Sequence, residues 1–441
     1  MPADDGDTIA SGSAPLFWAQ VVGNAGLLVA VVPIARELGP SGRGTVAFIT
    51  VTAIIAATLA RLGVTEATTV FCARRPAQRG ALLSNLLLSV SVAAFVAAVV
   101  VCGTLALVPR LRPPGIGDAE LAVLAGAMFA SGLSDAGYMF VLGCSRFRLH
   151  ALVTAAAAWL YAGTMWLLAV TSEITVVHAT LIWVITQAAK AGVLLVASAR
   201  AEGLARPEPR LLRESIAFGV RAWIGTLSTA FNERLDQILV ALLASEAVLG
   251  IYATAVNAFD VLLYLAAAAA TAMVPLVARA DPTLRMGRVL AAFRAVTLVT
   301  VLGIALAAAL GPPLIRAVFG AGFHGSTAPF LWLLPGALGF AALAIFSAAL
   351  VASSAPARSS AGPLVSLVLG TALDFVLVPP LGASGAAIAA SAGLLAGGAV
   401  SLVLYRRLSA FGLRKLVVPE PGDSELLRAL AQPLRGRSRL K

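Results

Sequence analysis

Apolar residues in this chain fill long continuous runs, separated by short clusters of arginine, proline and glycine, with no strand-like alternation. A helix needs roughly 20 apolar residues to cross the ~30 Å hydrocarbon layer of a bilayer. Backbone hydrogen bonds must close inside the segment there, and only helices or closed barrels achieve that. The runs predict helical spans near 16–35, 45–73, 81–108, 119–142, 151–172 and 177–199. After a polar stretch at 200–213 come spans near 214–243, 248–278, 287–318, 326–352, 359–378 and 384–405. The fold class expected is therefore an all-α polytopic membrane protein of about twelve transmembrane helices.

Composition agrees with this reading. Of 441 residues, 59% are hydrophobic and 12% charged, and the mean hydropathy is +0.93. A soluble domain of this size has to keep its exterior wettable and has no place for so much apolar surface. The net charge of +11 comes from 29 Arg and 3 Lys against 21 acids. On a soluble protein that balance would suggest nucleic acid, but here the placement of the charges points to a membrane topology and to no nucleic-acid partner. With the N-terminus inside, the cytoplasmic segments carry 22 of the 32 basic residues. The outer loops carry five, namely Arg36, Arg43, Arg110, Arg112 and Arg316. Positive residues concentrate on the cytoplasmic side of membrane proteins, so the partition supports twelve spans with both termini in the cytoplasm. Residues 1–15 hold Asp4, Asp5 and Asp7 and no basic residue, unlike a secretory signal; they read as a short tail. Residues 406–441 read as a basic cytoplasmic tail.

The chain also repeats. A shift of 206 residues brings Gly44 onto Gly250, Ala47 onto Ala253, Pro76 onto Pro282 and Arg79 onto Arg285. Six spans per half is an even number, so both halves run the same way. The expectation is an N-lobe (16–199) and a C-lobe (214–405), joined by the linker 200–213 and related by a parallel pseudo-twofold axis. Transport sites in such folds lie between the halves near the midplane.

Polar residues inside the spans are the candidate functional groups, because they are costly in lipid and face an interior or a water-filled path. In span 2, Thr58, Arg61, Thr65, Thr68 and Cys72 recur at helical steps of 3, 4, 3 and 4. In span 8, Asn257, Asp260, Tyr264 and Thr271 share one face, and the 206-residue shift carries Thr58 onto Tyr264 and Thr65 onto Thr271. Matching faces in the two halves suit a central aqueous cavity; the other reading is interhelical hydrogen bonding within each lobe. Arg61 lies about 17 residues, or ~25 Å, from the outer start of its helix, too deep to reach that surface easily. Span 7 carries Arg221, Gly225, Ser228, Asn232 and Asp236 on a drifting stripe, with Arg234 pointing away from it. Span 4 offers Asp135 with Ser131 and Tyr138, and span 1 offers Asn24. Glu66 falls about 140° from Arg61 around the helix and is not expected to share its face. Lys190 and Arg294 are expected to snorkel toward the inner surface, and Asp374 lies near the outer end of span 11.

A guanidinium grips a phosphate or pyrophosphate with two hydrogen bonds and keeps its charge when desolvated. Arg61, Arg221 and Arg234 are thus candidate anion ligands. Asp260, Asp135 and Asp236 are candidate sites for a coupling proton or cation, or else balance the arginines. No phosphate-binding loop, HExxH or Asp-rich metal motif is present. Cys72, Cys102 and Cys144 lack metal-like spacing, and His150, His178 and His324 are scattered. No catalytic residue, metal or cofactor is expected.

Several short motifs resemble those of a known family. Ala35-Arg36-Glu37-Leu38-Gly39-Pro40 with Gly44, followed by Leu62-Gly63, is similar to the opening of O-antigen-type (Wzx-like) polysaccharide flippases of the multidrug/oligosaccharidyl-lipid/polysaccharide (MOP) exporter superfamily. Asp236 with Gly250-Ile251-Tyr252 and Pro275, Leu314-Ile315 with Phe319-Gly320 and Phe323, and Gly382 through Ala389 resemble later motifs of that family. Asp374 departs from it, since such proteins often carry Asn there. The resemblance implies two six-helix lobes around a cavity with alternating access, as in the related MATE transporters. It implies export of an undecaprenyl-pyrophosphate-linked oligosaccharide across a bacterial cytoplasmic membrane, alongside a polysaccharide polymerase and glycosyltransferases of the same pathway. Arg61 would then contact the pyrophosphate with help from Arg221 or Arg234. Thr58, Thr65, Asn24, Asn257, Asp260 and Tyr264 would line the sugar path.

Two other classes compete. A cation-coupled multidrug or metabolite antiporter of the same superfamily would favour an acidic path. A membrane glycosyltransferase or polymerase would need a sizeable outer loop, whereas the longest outer connection, near 109–118, is short and lacks paired carboxylates.

Overall fold

The computed structural model describes residues 5–278, 282–353, 356–416 and 418. The side chains of residues 5–20 and of some positions in the seventh and eighth helices, Arg221, Gly225 and Thr271 among them, fall outside the described residues, as do Arg279 and most of the basic tail. Among the described residues the chain is all α-helical, with no strand. The helices are α1 (Asp5–Ala60), α2 (Val64–Arg74), α3 (Arg79–Leu107), α4 (Asp118–Gly143), α5 (Phe147–Thr171), α6 (Val176–Glu202) and α7 (Pro209–Leu243). They continue with α8 (Glu246–Ala278), α9 (Pro282–Phe319), α10 (Thr327–Ala352), the short α11 (Pro356–Ser359), α12 (Ala361–Leu381) and α13 (Ala383–Ser409). Ten described helical stretches are long and apolar enough to cross a membrane.

Most sequence-derived spans end within a few residues of these helices. Spans 1 and 2 differ. They form one helical run, α1, interrupted at Gly39 (φ 64°, ψ −172°). Span 2 does not continue to residue 73 as one helix. It stops at Ala60 and restarts at Val64, because Leu62 (φ 45°) and Gly63 (φ 79°) adopt left-handed backbone.

Two compact units make up the chain, residues 1–253 with 316–323, and residues 254–315 with 324–441. Hydropathy places the lobe boundary in the linker 200–213, whereas packing gathers α7 and the first turns of α8 with the N-terminal helices.

In the first unit α1 is the most enclosed apolar stretch, and α3 is among the most open. Over their most apolar windows, 78% of Val21–Ala60 is buried and 17% of Pro76–Leu107. The outward face of α3 presents Val92, Phe95, Val96 and Val99, all more than half exposed. A run of that kind is stable only against an apolar solvent. Leu82, Leu83 and Leu86 on its other face join Val64, Phe71 and Phe140 in the core. One polar residue on α3 is spent on the linker: the Asn85 amide donates to the Glu208 carbonyl (3.0 Å) and accepts from the Glu208 N–H (2.9 Å). Arg79 and Arg146 pair with Glu202 at 3.6 and 2.6 Å, and Arg75 with Glu214 at 2.9 Å, at the same end of the unit.

The second unit is built on close helix contacts through small residues. Gly339 and Gly398 bring α10 and α13 together backbone to backbone, and Gly362 and Gly397 do the same for α12 and α13. Phe293, Phe346, Tyr405 and Phe411 stack in sequence through its core. The Arg294 guanidinium donates to the Lys415 carbonyl at 2.6 Å and anchors the segment after α13.

Candidate functional site

The interruption between α1 and α2 organises the candidate site of the first unit. A helix that stops inside an apolar layer exposes carbonyls and amides that need partners. Here the Val64 N–H bonds to the Arg61 carbonyl (2.9 Å) and the Ala67 N–H to the Gly63 carbonyl (3.0 Å), restarting the helix. The Thr58 carbonyl has lost its helical donor at Leu62 and accepts instead from the Trp223 indole N–H on α7, at 2.7 Å. Alpha-7 can come this close because Gly219 faces Gly63. A Cβ on either residue would run into the other's backbone.

Arg61 is the last residue before the turn, and its side chain is 8% exposed. One terminal nitrogen donates to Asp135 on α4 at 2.8 Å, and the other donates to the Thr58 hydroxyl at 3.3 Å. Its Nε makes no hydrogen bond. The Asp135 side chain is 41% exposed, so the pair is open from the aspartate side. Lys190 on α6 lies within electrostatic reach of Asp135 and of His150, and the His150 ring stacks on Tyr138 with centroids 4.2 Å apart. Arg61 and Asp135, 74 residues apart, are thus brought together.

The break also divides the expected stripe of span 2. Thr58 belongs to α1 and Arg61 to the turn that follows it, while Thr65, Thr68 and Cys72 belong to α2 and are buried. Thr65 hydrogen-bonds to Glu66 at 2.7 Å, and Thr68 donates to the Val64 carbonyl at 2.7 Å. Asn24 is half-buried on α1.

Arg234 is elsewhere. It lies 15 residues beyond Gly219 on α7, roughly 22 Å along the helix, and within electrostatic reach of Arg43, Glu233 and Asp236. Asp236 accepts the hydroxyl hydrogen of Tyr252 and the Gln237 N–H at 2.7 Å. It ties α7 to the start of α8. Arg221 follows Gly219 by two residues, and its side chain lies outside the described residues.

The motif glycines have a packing role. Gly44 on α1 sits against the Glu246 carbonyl, and Gly250 on α8 against the Pro40 carbonyl, leaving no room for a side chain on either. These two glycines, which correspond under the 206-residue shift, therefore pack on each other. Glu246 is held by the Ser41 hydroxyl (3.3 Å) and the Gly115 N–H. Arg36 donates to the Val318 and Ala317 carbonyls at 2.8 and 2.6 Å, closing the end of α9.

Sequence reasoning missed Trp223, Gly219 and the burial of Arg43, which it placed in an outer loop. Gly42-Arg43-Gly44 was the available signal, since two glycines around a charge permit close helix approach. In the second unit, Asn257 and Asp260 are half-buried on α8, Tyr264 is 36% exposed and Asp374 on α12 is 3% exposed. Among the described residues no group of three His, Cys, Asp or Glu side chains is placed to hold a metal.

A family model described as polysaccharide biosynthesis protein matches residues 9–281. No curated protein matches the chain in sequence. Among solved structures, the lipid II flippase MurJ in an inward closed conformation superposes with a TM-score of 0.75 at 14% identity, covering 98% of this chain and 94% of that one. An inward-facing multidrug resistance MATE transporter of the MOP superfamily gives 0.67 at 16% identity, covering 89% and 94%. A MOP superfamily transporter from Pyrococcus furiosus, described as having a binding pocket of reverse polarity, gives 0.58 at 14% identity, covering 91% and 95%. At these identities the likeness is one of fold, and the fold is the MOP type.

Proposed function

We propose, from the premise that this chain belongs to the polysaccharide biosynthesis protein family, that it is a flippase carrying an undecaprenyl-pyrophosphate-linked oligosaccharide across the bacterial cytoplasmic membrane. It is a multi-pass membrane protein of the MOP fold, and the solved structures it resembles are transporters. The observation that carries the reading is Arg61, a guanidinium held deep in an apolar helical layer at a helix break, with one free N–H and a half-exposed counter-ion. An arginine balanced in this way can exchange its carboxylate for a phosphate and keep a counter-ion, while the released Asp135 carboxylate, 41% exposed, turns to its surroundings. In the resting arrangement Asp135 takes the place of the pyrophosphate, and Arg221 assists from α7. Asn24 and Thr58 serve the sugars in the first unit and Asn257, Asp260 and Tyr264 in the second, while Thr65 supports the α2 side through Glu66.

The topology proposed has twelve spans with both termini in the cytoplasm. Alpha-1 supplies two of them, on either side of Gly39, and α7 completes the set despite its charged residues. The carrier lipid stays in the bilayer while its polar head crosses, and the polymerase and glycosyltransferases of the same pathway act before and after it. The test is deletion followed by lipid analysis and complementation. The deletion should accumulate a lipid-linked oligosaccharide in the cytoplasmic leaflet, and Arg61→Ala should insert normally yet fail to clear it. Normal clearance by that variant would sink the proposal.

The half-exposed Asp135 beside Lys190 also suits a cation-coupled antiporter. Drug efflux driven by a proton or sodium gradient, and lost in Asp135→Asn while glycan export continues, would favour that second reading.

A further inference from the structure

Helix α9 divides between the two compact units. Its residues up to Ile315 belong to the second, whereas Arg316–Phe319 and the turn on to Phe323 belong to the first. The division falls just after Pro312 and Pro313, which lie inside the helix. Neither proline has an N–H, so the Ala308 and Ala309 carbonyls lack their helical donors, and the helix bends most easily there. The piece beyond is closed on itself. Gly320 turns the chain in left-handed backbone (φ 91°). Its N–H bonds to the Arg316 carbonyl at 3.0 Å, and the Phe323 N–H bonds to the Gly320 carbonyl at 3.2 Å. The piece can therefore move as a body without orphaning these groups.

Arg36 on α1 holds it. The guanidinium donates through Nε to the Val318 carbonyl at 2.8 Å and through Nη2 to the Ala317 carbonyl at 2.6 Å. The last carbonyls of a helix have no partner within it and carry the negative end of its dipole. A guanidinium fork reaches two of them at once. Arg36 is exposed, so water competes for the same groups, and the hold is modest and reversible. The rest of the hold is small and apolar. Phe319 and Phe323 are buried, with ring centroids 6.2 Å apart. Gly322 lies against Pro40, where an added Cβ would meet the proline ring at 3.4 Å. Arg36 and Pro40 flank Gly39, where α1 is interrupted, so the fork and the Gly322 contact bear on one bend.

We propose that Arg316–Phe323 is a releasable clasp, held on α1 by Arg36 and hinged at Pro312 and Pro313. Release frees the end of α9 from the first unit while the rest of the helix stays in the second. Its part in export, as a step through which each transport cycle passes, rests on the flippase reading; the release itself does not.

The test is a distance measurement on the full chain in nanodiscs, by double electron–electron resonance. Spin labels are placed on Glu37→Cys and His324→Cys, both exposed positions, after Cys72→Ser, Cys102→Ser and Cys144→Ser. With Arg36 present a short distance should predominate. Arg36→Gln should raise the ratio of long to short distances roughly tenfold, through the loss of two hydrogen bonds of modest strength. Arg36→Lys keeps the charge but not the fork and should raise it less. One short distance unchanged in all three chains would overturn the proposal, and a long population indifferent to residue 36 would overturn Arg36 as the holder. A second measurement keeps Arg36. Pro40→Cys with Gly322→Cys, oxidised to a disulfide, should stop export, and dithiothreitol should restore it. Normal export by the oxidised chain would overturn the clasp's part in the cycle. Absence of export in every chain, with the distances still shifting at Arg36, would sink the flippase reading and leave the clasp in place.

Discussion

Arg43 lies on α1 and Arg61 in the turn that ends it, both more than nine-tenths buried, yet they are solved in opposite ways. Arg61 has Asp135 and Thr58 as partners and sits where the helix breaks. Arg43 has none among the described residues and sits where α8 presses on α1. The difference teaches that burial alone does not say what a charge is for. A paired guanidinium is held by its counter-ion, whereas one whose Nε has no acceptor is held by the packing around it.

The largest expected effect is at Arg61. Arg61→Met should abolish export and lower stability by about 2 kcal/mol, less than for a fully enclosed pair because Asp135 is half open to its surroundings. Export assays and denaturation of the purified protein would show both, and an unchanged export rate would remove Arg61 from the site. Next comes the support of the break. Gly219→Ala should push α7 off Gly63 and free the Thr58 carbonyl from Trp223, at a cost of roughly 2 kcal/mol. Its signature is slowed export together with a changed Trp223 fluorescence, and a silent variant would mean that the break needs no such contact. The same Met replacement at Arg43 should act in the opposite direction. Arg43→Met should raise stability by about 1 kcal/mol, since a buried unpaired charge gives way to an apolar chain of similar length. A fall in stability there would make the two arginines alike and erase the comparison. The smallest effect belongs to a position away from both. Asn85→Ala should cost about 1 kcal/mol and hasten proteolysis near residues 200–208, with export little changed.

Much of the fold was legible because a lipid-facing helix must be apolar along its whole length, and a charge inside it is conspicuous. Helices α3 to α10 and α13 follow the hydrophobic runs closely for that reason. The break in span 2 was not legible as a break. Leu62-Gly63 lies in an apolar run, and a glycine there is equally compatible with an unbroken helix. The left-handed backbone is decided by Gly219 and Trp223, which come from a helix more than 150 residues away. Asp236 and Tyr252 show the same limit. Their spacing marked a motif, but only the contact between α7 and α8 shows that the carboxylate is spent on the phenol.

By itself the sequence determined the membrane, the helices, the family resemblance and the short set of embedded charges, because hydrophobic run length and the cost of charge in lipid are properties of the local chain. Only the tertiary structure decided which charge has a partner. Arg61 and Asp135 are 74 residues apart, and pairing over such a separation depends on how the helices pack, through glycines whose value is the side chain they lack.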